Sequence, residues 1–285
     1  MSGIDPALRI RSVTLGVSDV SRSADFYEHA LGLPLITREN GTAVLGADPG
    51  RPALVLRQLA QPAPLSPGAS GLYHVAWLHP SRAALADTLR RLARARWPLE
   101  GASDHGVSEA VYLSDPDGLG IEIYADRPSE RWARTPAGGI EMVTLPLDLE
   151  DLLAQSASEP PVTIEPGTGV GHVHLKVSDV ARASRFYDHD VGLDEQARLP
   201  SASFLGAGGY HHHVGLNSWQ SMGAPRAPDT APGLLEVLFE LSGERALTEV
   251  ERRLAERGDE PREHEGRLLV LDPDGQTLAF AAPGS

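Results

Sequence analysis

Apolar and polar residues alternate along several short segments of the chain, and such alternation predicts β-strands that bury one face. The strongest cases lie in two near copies of one segment, SVTLGVSDVSRSADFYEHALGL from Ser12 and HVHLKVSDVARASRFYDHDVGL from His172. Each copy predicts a strand, a turn at Ser-Asp, and a helix that carries Phe-Tyr and ends at glycine. The chain therefore contains an internal repeat.

A second, weaker repeat completes the pattern. GLYHVAWL and GLLEVLFE each predict a strand, which is followed by a helix at about 81–96 and 243–257. In both cases a further strand, a turn of sequence DPDG and a last strand follow, and these turns begin at Asp115 and Asp272. Each half of the chain thus contains two copies of one unit of strands and a helix.

These repeats divide the chain into four βαβββ modules, with approximate bounds 8–60, 70–126, 169–220 and 232–282. We predict an α+β fold in which the four modules form two curved mixed sheets, with clefts between paired modules where a ligand can bind. In sequence the modules form an N-terminal pair (1–126) and a C-terminal pair (169–285). A linker (127–168) joins the pairs and contains a short helix near 149–153.

Alternation also assigns polar side chains to the open faces of the strands. In HVHLKV the apolar residues define the face under the helix, so His172 and His174 point the other way. The same argument places four more side chains on open faces: His74, Tyr112, Glu122 and Tyr124. In YHHHVGLN it groups His212 with the buried residues Val214 and Leu216, and it turns His211 and His213 toward the cleft.

Three of these residues, His74, Glu122 and His172, form a set with a distinct chemistry. Two histidines and one carboxylate suit non-haem Fe(II) and leave coordination sites open. A single histidine or glutamate on an open strand face is usually only solvated, but these three occupy matched places in the first and last strands of their modules. The equivalent residues of the other modules are Ser12, Glu236 and Ala279, which cannot form such a set.

Composition narrows the class of partner. The 285 residues carry a formal net charge of −14, which argues against nucleic acid because that binding requires clustered Lys and Arg. No apolar run approaches the roughly 20 residues of a membrane span, and the N-terminus lacks the apolar core of a secretory signal. The chain has no cysteine. We expect a cytoplasmic homo-oligomer that acts on a small molecule, without a nucleic-acid or membrane partner.

Over essentially the whole chain these features resemble the vicinal oxygen chelate superfamily, and more closely its extradiol ring-cleaving dioxygenases of the catechol 2,3-dioxygenase type. The segments that carry the resemblance are GHVHLKVSDV, GLYHVAW, SDHGVSEAVYLSDPDGLGIEIYADRP and GYHHHVGLNSW. The resemblance implies an Fe(II) cofactor, with Mn(II) as the alternative ion. It also implies a small aromatic diol and dioxygen as substrates.

The resemblance implies which residues hold the metal. The family's first histidine ligand opens the first strand of a module, the second opens the partner module's first strand, and the glutamate lies in that partner's last strand. These positions are His172, His74 and Glu122. In the commonest arrangement the C-terminal pair of modules holds the iron, but here that pair lacks the full set. We therefore predict that module 2 pairs with module 3, and module 1 with module 4; the alternative is that both clefts are metal-free.

Catalytic residues follow from the same resemblance. The family's acid–base histidine lies on the last strand of the module that supplies the first ligand, which is His213 here. His105 and Tyr112 match a histidine and a tyrosine that hydrogen-bond the bound phenolate. For Tyr112 the alternative is a packing aromatic residue, and for His105 it is a solvated loop residue.

Two other functions are alternatives. Some members of the superfamily bind an aromatic or drug-like ligand without catalysis, and the retained ligand set argues against that function here. A glyoxalase-like isomerase or lyase would usually need a fourth protein ligand, which the sequence does not offer.

Overall fold

The fold consists of two curved mixed β-sheets that are built from four βαβββ modules. The computed structural model describes residues 3–136 and 138–284. Module 1 contains β1 (Arg9–Val17), α1 (Val20–Asp25), β2 (Leu35–Glu39), β3 (Thr42–Leu45) and β4 (Leu54–Gln58). Module 2 contains β5 (Gly71–Leu78), α2 (Arg82–Arg94), β6 (Gly101–Asp104), β7 (Ser108–Ser114) and β8 (Gly120–Asp126). The predicted α+β class and the repeated module are confirmed.

The linker and the second half complete the chain. The linker contains a short 3-10 turn (Ser129–Arg131), β9 (Leu145–Pro146) and α3 (Leu149–Leu153). Module 3 contains β10 (Gly169–Lys176), α4 (Val180–Arg185), β11 (Asp194–Leu199), β12 (Ala202–Gly206) and β13 (Val214–Asn217). Module 4 contains β14 (Gly233–Glu240), α5 (Glu244–Arg257), β15 (Arg262–His264), β16 (Arg267–Leu271) and β17 (Thr277–Ala281).

The Ser-Asp turn of the long repeat starts a helix for a local reason. Asp19 caps α1 by accepting from the backbone N–H groups of Ser21 and Arg22, and Asp179 caps α4 by accepting from the backbone N–H of Arg182. Both helices continue as one π-helical turn that carries Phe-Tyr (Phe26–Leu31 and Phe186–Val191). Each then ends at a left-handed glycine, as the sequence predicted.

Within the described chain, no helix combines the length and apolar character of a membrane crossing.

Each sheet joins a module from one half of the chain with a module from the other half. One sheet has eight strands, in the order β15-β16-β17-β14-β1-β4-β3-β2, and contains modules 4 and 1. The other has nine, in the order β11-β12-β13-β10-β5-β8-β7-β6-β9, and contains modules 3 and 2 together with linker strand β9. The pairing of module 2 with module 3, and of module 1 with module 4, is therefore confirmed.

The seam of the nine-stranded sheet is the antiparallel contact between β5 and β10. In this register Val75 lies opposite Val173, and His74 lies opposite His174. Strand β8 runs parallel to β5 on its other side and places Glu122 next to Ala76. The first strands of two modules and one last strand thus lie side by side.

One continuous apolar core lies beneath the helices, on the faces that alternation assigned to it. The inward residues of β10 (Val173 and Leu175), the following Val177, and the inward residues of β8 (Ile121 and Ile123) are essentially inaccessible and belong to this core. The residues between them, including His172, His174 and Glu122, lie on the opposite face of the same sheet. Burial of each large aliphatic side chain contributes roughly 1.5–3 kcal/mol, so strand orientation is strongly determined.

The DPDG turns do more than join two strands, because each holds consecutive modules together. The side chain of Asp117 accepts from the backbone N–H of Ser18 at 2.8 Å and is ion-paired with Arg22. In the second half the Tyr187 hydroxyl donates to Asp272 at 3.0 Å, and Ser178 N–H donates to Asp274. Modules 1 and 2 are therefore linked to each other although they belong to different sheets, and the same holds for modules 3 and 4.

The buried turn carboxyls predict a pH dependence of stability. Burial raises the pKa of Asp115 to about 7 and that of Asp272 to about 6, against about 3.9 in an unfolded chain. A group whose folded pKa is raised stabilises the fold below its unfolded pKa, and this contribution is lost as the pH rises through the folded pKa.

We therefore expect Asp115→Asn to gain free energy of unfolding relative to the parent as the pH rises from 4 to 7. The gain should approach about 1.4 kcal/mol per pH unit. Asn keeps the turn geometry, because its carbonyl oxygen can still accept from Asp117 N–H and Leu119 N–H. Urea unfolding at stepped pH measures the difference, and for Asp272→Asn the gain should level off near pH 6. Parallel curves for variant and parent would contradict the prediction.

Candidate functional site

A cavity of about 280 Å³ opens on the concave face of the nine-stranded sheet. Its polar floor is formed by residues of both paired modules: His74, Tyr112, Glu122, His172, His174 and His212. Its walls include five large apolar residues from module 3 and the linker: Leu199, Phe204, Trp219, Met142 and Val143. A small volume with apolar walls and a polar floor is typical of a small-molecule site.

The three residues singled out as metal ligands meet at the floor of this cavity. Glu122 Oε2 lies 3.0 Å from His74 Nε2 and 3.4 Å from His172 Nε2. One ligand atom from each residue lies within 4.8 Å of the others, and all three side chains are buried. Among residues 3–136 and 138–284, this is the one group of three or more such side chains that meets that criterion.

The geometry of these three residues fits a divalent metal ion better than a hydrogen-bonded cluster. His74 Nε2 is buried and has no hydrogen-bond partner, although a carboxylate oxygen lies 3.0 Å away. Nitrogen and oxygen ligands lie roughly 2.1 Å from such an ion, so neighbouring ligands at right angles are separated by roughly 3 Å. The two separations from Glu122, 3.0 and 3.4 Å, lie near that edge length, and the donor set suits a divalent ion with open positions.

Electrostatics favours the ligand forms of these side chains. Burial lowers the pKa of His172 to about 4, against the opposing effect of Glu122, so its imidazole is neutral. Burial alone would raise the pKa of Glu122, but the adjacent His172 and His74 hold it well below its usual range. A metal needs neutral imidazoles and an ionised carboxylate, and His172 and Glu122 are in these forms near neutral pH.

Tyr112 and His105 both line the cavity and are hydrogen-bonded to each other. The carbonyl oxygen of Val143 can only accept, so His105 Nδ1, at 2.8 Å, carries the proton. His105 Nε2 is then an acceptor, and the Tyr112 hydroxyl donates to it at 2.6 Å. Burial, and next the charge of Glu122, raise the pKa of Tyr112, so the phenol is neutral.

The assignment of the consecutive histidines was wrong in orientation. We expected His213 in the cleft and His212 beneath the sheet, but it is His212 that lines the cavity, with its ring centroid 4.1 Å from that of His172. His213 Nδ1 instead accepts from the backbone N–H of Ala207. Strand β13 begins only at Val214, after a turn with left-handed Gly208 and Gly209, so strand alternation does not extend to these residues.

His211 was expected to line the cleft near its edge and is instead enclosed behind His212. Its Nε2 lies 2.9 Å from Asp126 Oδ1, and its Nδ1 lies 2.7 Å from His212 Nδ1. Alternation places Asp126 on the same strand face as Glu122 and Tyr124. It does not show which distant residue Asp126 contacts.

The linker contributes a wall of the site, which no sequence pattern indicated. Strand β9 pairs with β6, and the preceding segment lines the cavity through Met142, Val143 and Thr144. Because residues 142–144 carry no strand periodicity of their own, their position depends on the sheet edge to which β9 binds.

The eight-stranded sheet has no equivalent site at the matching positions. Glu236, which corresponds to His74, is ion-paired with Arg267 at 2.8 Å. Ala279, which corresponds to Glu122, belongs instead to a small apolar cluster with Leu238 and Ala281. A guanidinium group thus neutralises the carboxylate where the other sheet gathers its ligand atoms.

Comparison with known sequences identifies the family of the chain. The model of the glyoxalase/bleomycin resistance protein/dioxygenase superfamily matches residues 9–123. A protein named catechol-2,3-dioxygenase from Bacillus subtilis (strain 168) is 38% identical over 284 residues, which cover 98% of this chain and 99% of that protein.

Solved structures share the fold at low sequence identity. A proposed dioxygenase from Bacillus subtilis subsp. subtilis str. 168 has a TM-score of 0.67 at 14% identity, over 100% of this chain and 87% of that one. Glyoxalase I from Zea mays has a TM-score of 0.60 at 16% identity, over 97% and 92% of the two chains. The chain therefore belongs to the glyoxalase/bleomycin resistance protein/dioxygenase superfamily, in which it is an extradiol dioxygenase-like oxidoreductase.

Proposed function

We propose that the protein is an Fe(II)-dependent dioxygenase that opens the ring of a catechol beside its two hydroxyl groups. The observation that carries the proposal is the convergence of His74, His172 and Glu122 at the floor of a small cavity with apolar walls. The 38% identical relative named catechol-2,3-dioxygenase supports the same reaction class. Mn(II) shares these ligand preferences and is the alternative ion.

The three ligands would hold the ion with a net positive charge, because only one of them is anionic. Bound there, the ion would supply charge that favours the deprotonated diol and the redox chemistry that dioxygen requires. The chain's own part is to present a dry, shaped surface to the ring. Phe204, Trp219 and Leu199 can contact the ring and its substituents, while the hydroxyl groups face the polar floor.

His212 is the residue we assign to proton transfer, in place of His213. It lines the cavity beside His172, and His211 already occupies its Nδ1, so Nε2 is the nitrogen available to a substrate hydroxyl. A positioned histidine that takes a proton in this way contributes typically 10²–10⁴-fold to a rate.

Tyr112 and His105 would orient the second substrate oxygen. The Tyr112 hydroxyl donates to His105, so its oxygen lone pairs are free to accept from a substrate hydroxyl. If His105 takes up a proton, the same hydroxyl turns to donate to a phenolate. The pair can therefore hydrogen-bond both the neutral and the anionic form of the substrate without moving.

Reconstitution tests the reaction itself. The purified protein, loaded anaerobically with Fe(II), should form a yellow ring-opened product when catechol and air are added, because the site can bring diol and dioxygen to one ion. Absorbance spectroscopy and elemental analysis measure product and bound iron. A preparation that binds no iron and forms no product would exclude the proposal.

Replacement of a ligand tests the site. His74→Ala should lose essentially all bound iron, because it removes one of three ligands from a buried site. Glu236→Ala is the matched control, since Glu236 has the equivalent place in the other sheet, where it is paired with Arg267. Retention of iron by both variants would show that the metal lies elsewhere.

Removal of the Tyr112 hydroxyl tests the orienting pair. Tyr112→Phe keeps the ring packing but removes a hydrogen bond to a charged substrate group, worth roughly 1.5–3 kcal/mol. We expect kcat to fall by about 10- to 100-fold with iron content unchanged. Steady-state kinetics on catechol measures this, and an unaltered kcat would assign Tyr112 to packing alone.

A further inference from the structure

A continuous hydrogen-bonded chain of three side chains leads from the end of β8 to the cavity. Asp126 Oδ1 lies 2.9 Å from His211 Nε2, and His211 Nδ1 lies 2.7 Å from His212 Nδ1. Both histidines are buried, whereas the Asp126 side chain keeps contact with solvent. His212 alone of the three lines the cavity, so the chain joins a surface carboxylate to a residue that can touch substrate.

The proton positions in this chain follow from its chemistry. A carboxylate can only accept, so His211 Nε2 carries a proton and donates it to Asp126. In a neutral His211 the other nitrogen, Nδ1, is then an acceptor. The proton in the 2.7 Å contact must therefore belong to His212 Nδ1, which leaves His212 Nε2 with a lone pair.

The opposite tautomer of His212 would break one of these two hydrogen bonds. If neutral His212 carried its proton on Nε2, two unprotonated Nδ1 atoms would face each other at 2.7 Å. Relief would require His211 to carry its proton on Nδ1 and to present a lone pair to the Asp126 carboxylate. One combination of neutral tautomers therefore satisfies both hydrogen bonds.

We propose that Asp126 and His211 are positioning residues that hold His212 as its Nδ1–H tautomer, with the unprotonated Nε2 directed to the substrate. This rests on the proposed function insofar as His212 is the proton acceptor. A carboxylate that sets the tautomer of a catalytic histidine has the same role in serine hydrolases. Here the carboxylate acts through a second imidazole.

The surrounding structure holds the chain in place. The ring centroid of His211 lies 4.2 Å from that of Tyr210 and 5.3 Å from that of Trp132. Asp126 lies on the strand that also supplies Glu122, four positions further along, so both side chains project from the same strand face. The strand therefore sets the positioning carboxylate and the proposed ligand relative to each other.

Kinetics of paired variants tests the proposal. In Asp126→Asn the amide N–H₂ can donate to His211 Nε2, which inverts both tautomers and blocks His212 Nε2. We expect kcat on catechol to fall by on the order of 10- to 100-fold, with KM and bound iron unchanged. Glu109→Gln is the control, because Glu109 is a buried carboxylate on adjacent β7 that pairs with Arg82 and Arg127 and should keep parental kcat.

His211 variants separate positioning from packing. His211→Leu fills the space but offers no acceptor, and we expect a loss as large as in Asp126→Asn. His211→Asn places an amide oxygen near the former Nδ1, so it should recover a substantial part of kcat. Equal kcat in parent, Asp126→Asn and His211→Leu would overturn the proposal, as would a loss in His211→Leu that His211→Asn does not reverse.

A spectroscopic measurement keeps this proposal distinguishable from the proposed function. Nitrogen-15 NMR of the imidazole groups in the full-length protein without added metal should show His212 protonated at Nδ1 and unprotonated at Nε2. Asp126→Asn should exchange the two signals. A parent protein with Nε2–H on His212 would overturn the proposal whether or not catechol is cleaved. Absence of catechol cleavage with the expected tautomer would instead refute only the proposed function.

Discussion

The antiparallel pairing of β5 with β10 is the contact on which the site depends. It joins the first strand of module 2 to the first strand of module 3 and sets His74 and His172 on one face. Strand β8 runs parallel to β5, and its register places Glu122 beside the two histidines. Strand register is strongly determined where one face is buried, because a slip by one residue turns every side chain to the other face. The apolar residues of β5, β8 and β10 therefore position the polar site opposite them.

Module exchange between the halves of the chain brings His74, Glu122 and His172 into one sheet, and the equivalent positions of the other sheet hold no such set. Each half holds its own two modules together through its DPDG turn, yet those modules contribute strands to different sheets. The eight-stranded sheet has an Arg267–Glu236 ion pair and Ala279 at the equivalent places. The inward residues of the eight-stranded sheet belong to the same continuous apolar core as those of the nine-stranded sheet.

Two hydrogen-bonded chains converge on the cavity, and each begins at an acceptor that cannot donate. The Val143 carbonyl sets the tautomer of His105 and thereby the direction of the Tyr112 hydroxyl. On the opposite side, Asp126 sets the tautomers of His211 and His212. Fixed donors and acceptors around a dry site need little reorganisation when charge develops on a substrate, which is a large source of catalytic power.

Periodicity in the amino-acid order was sufficient for the modules and the inward faces, because both depend on local alternation. The proposed ligand set and the pairing of module 2 with module 3 came from the resemblance to the superfamily, which shows where a module carries each ligand. Periodicity failed at His212 and His213, because these residues follow two left-handed glycines in a turn and β13 begins only at Val214. It also did not indicate the linker wall at Val143 or the contact between Asp126 and His211. Those features depend on how distant segments meet at the edge of the folded sheet, and no local period encodes that meeting.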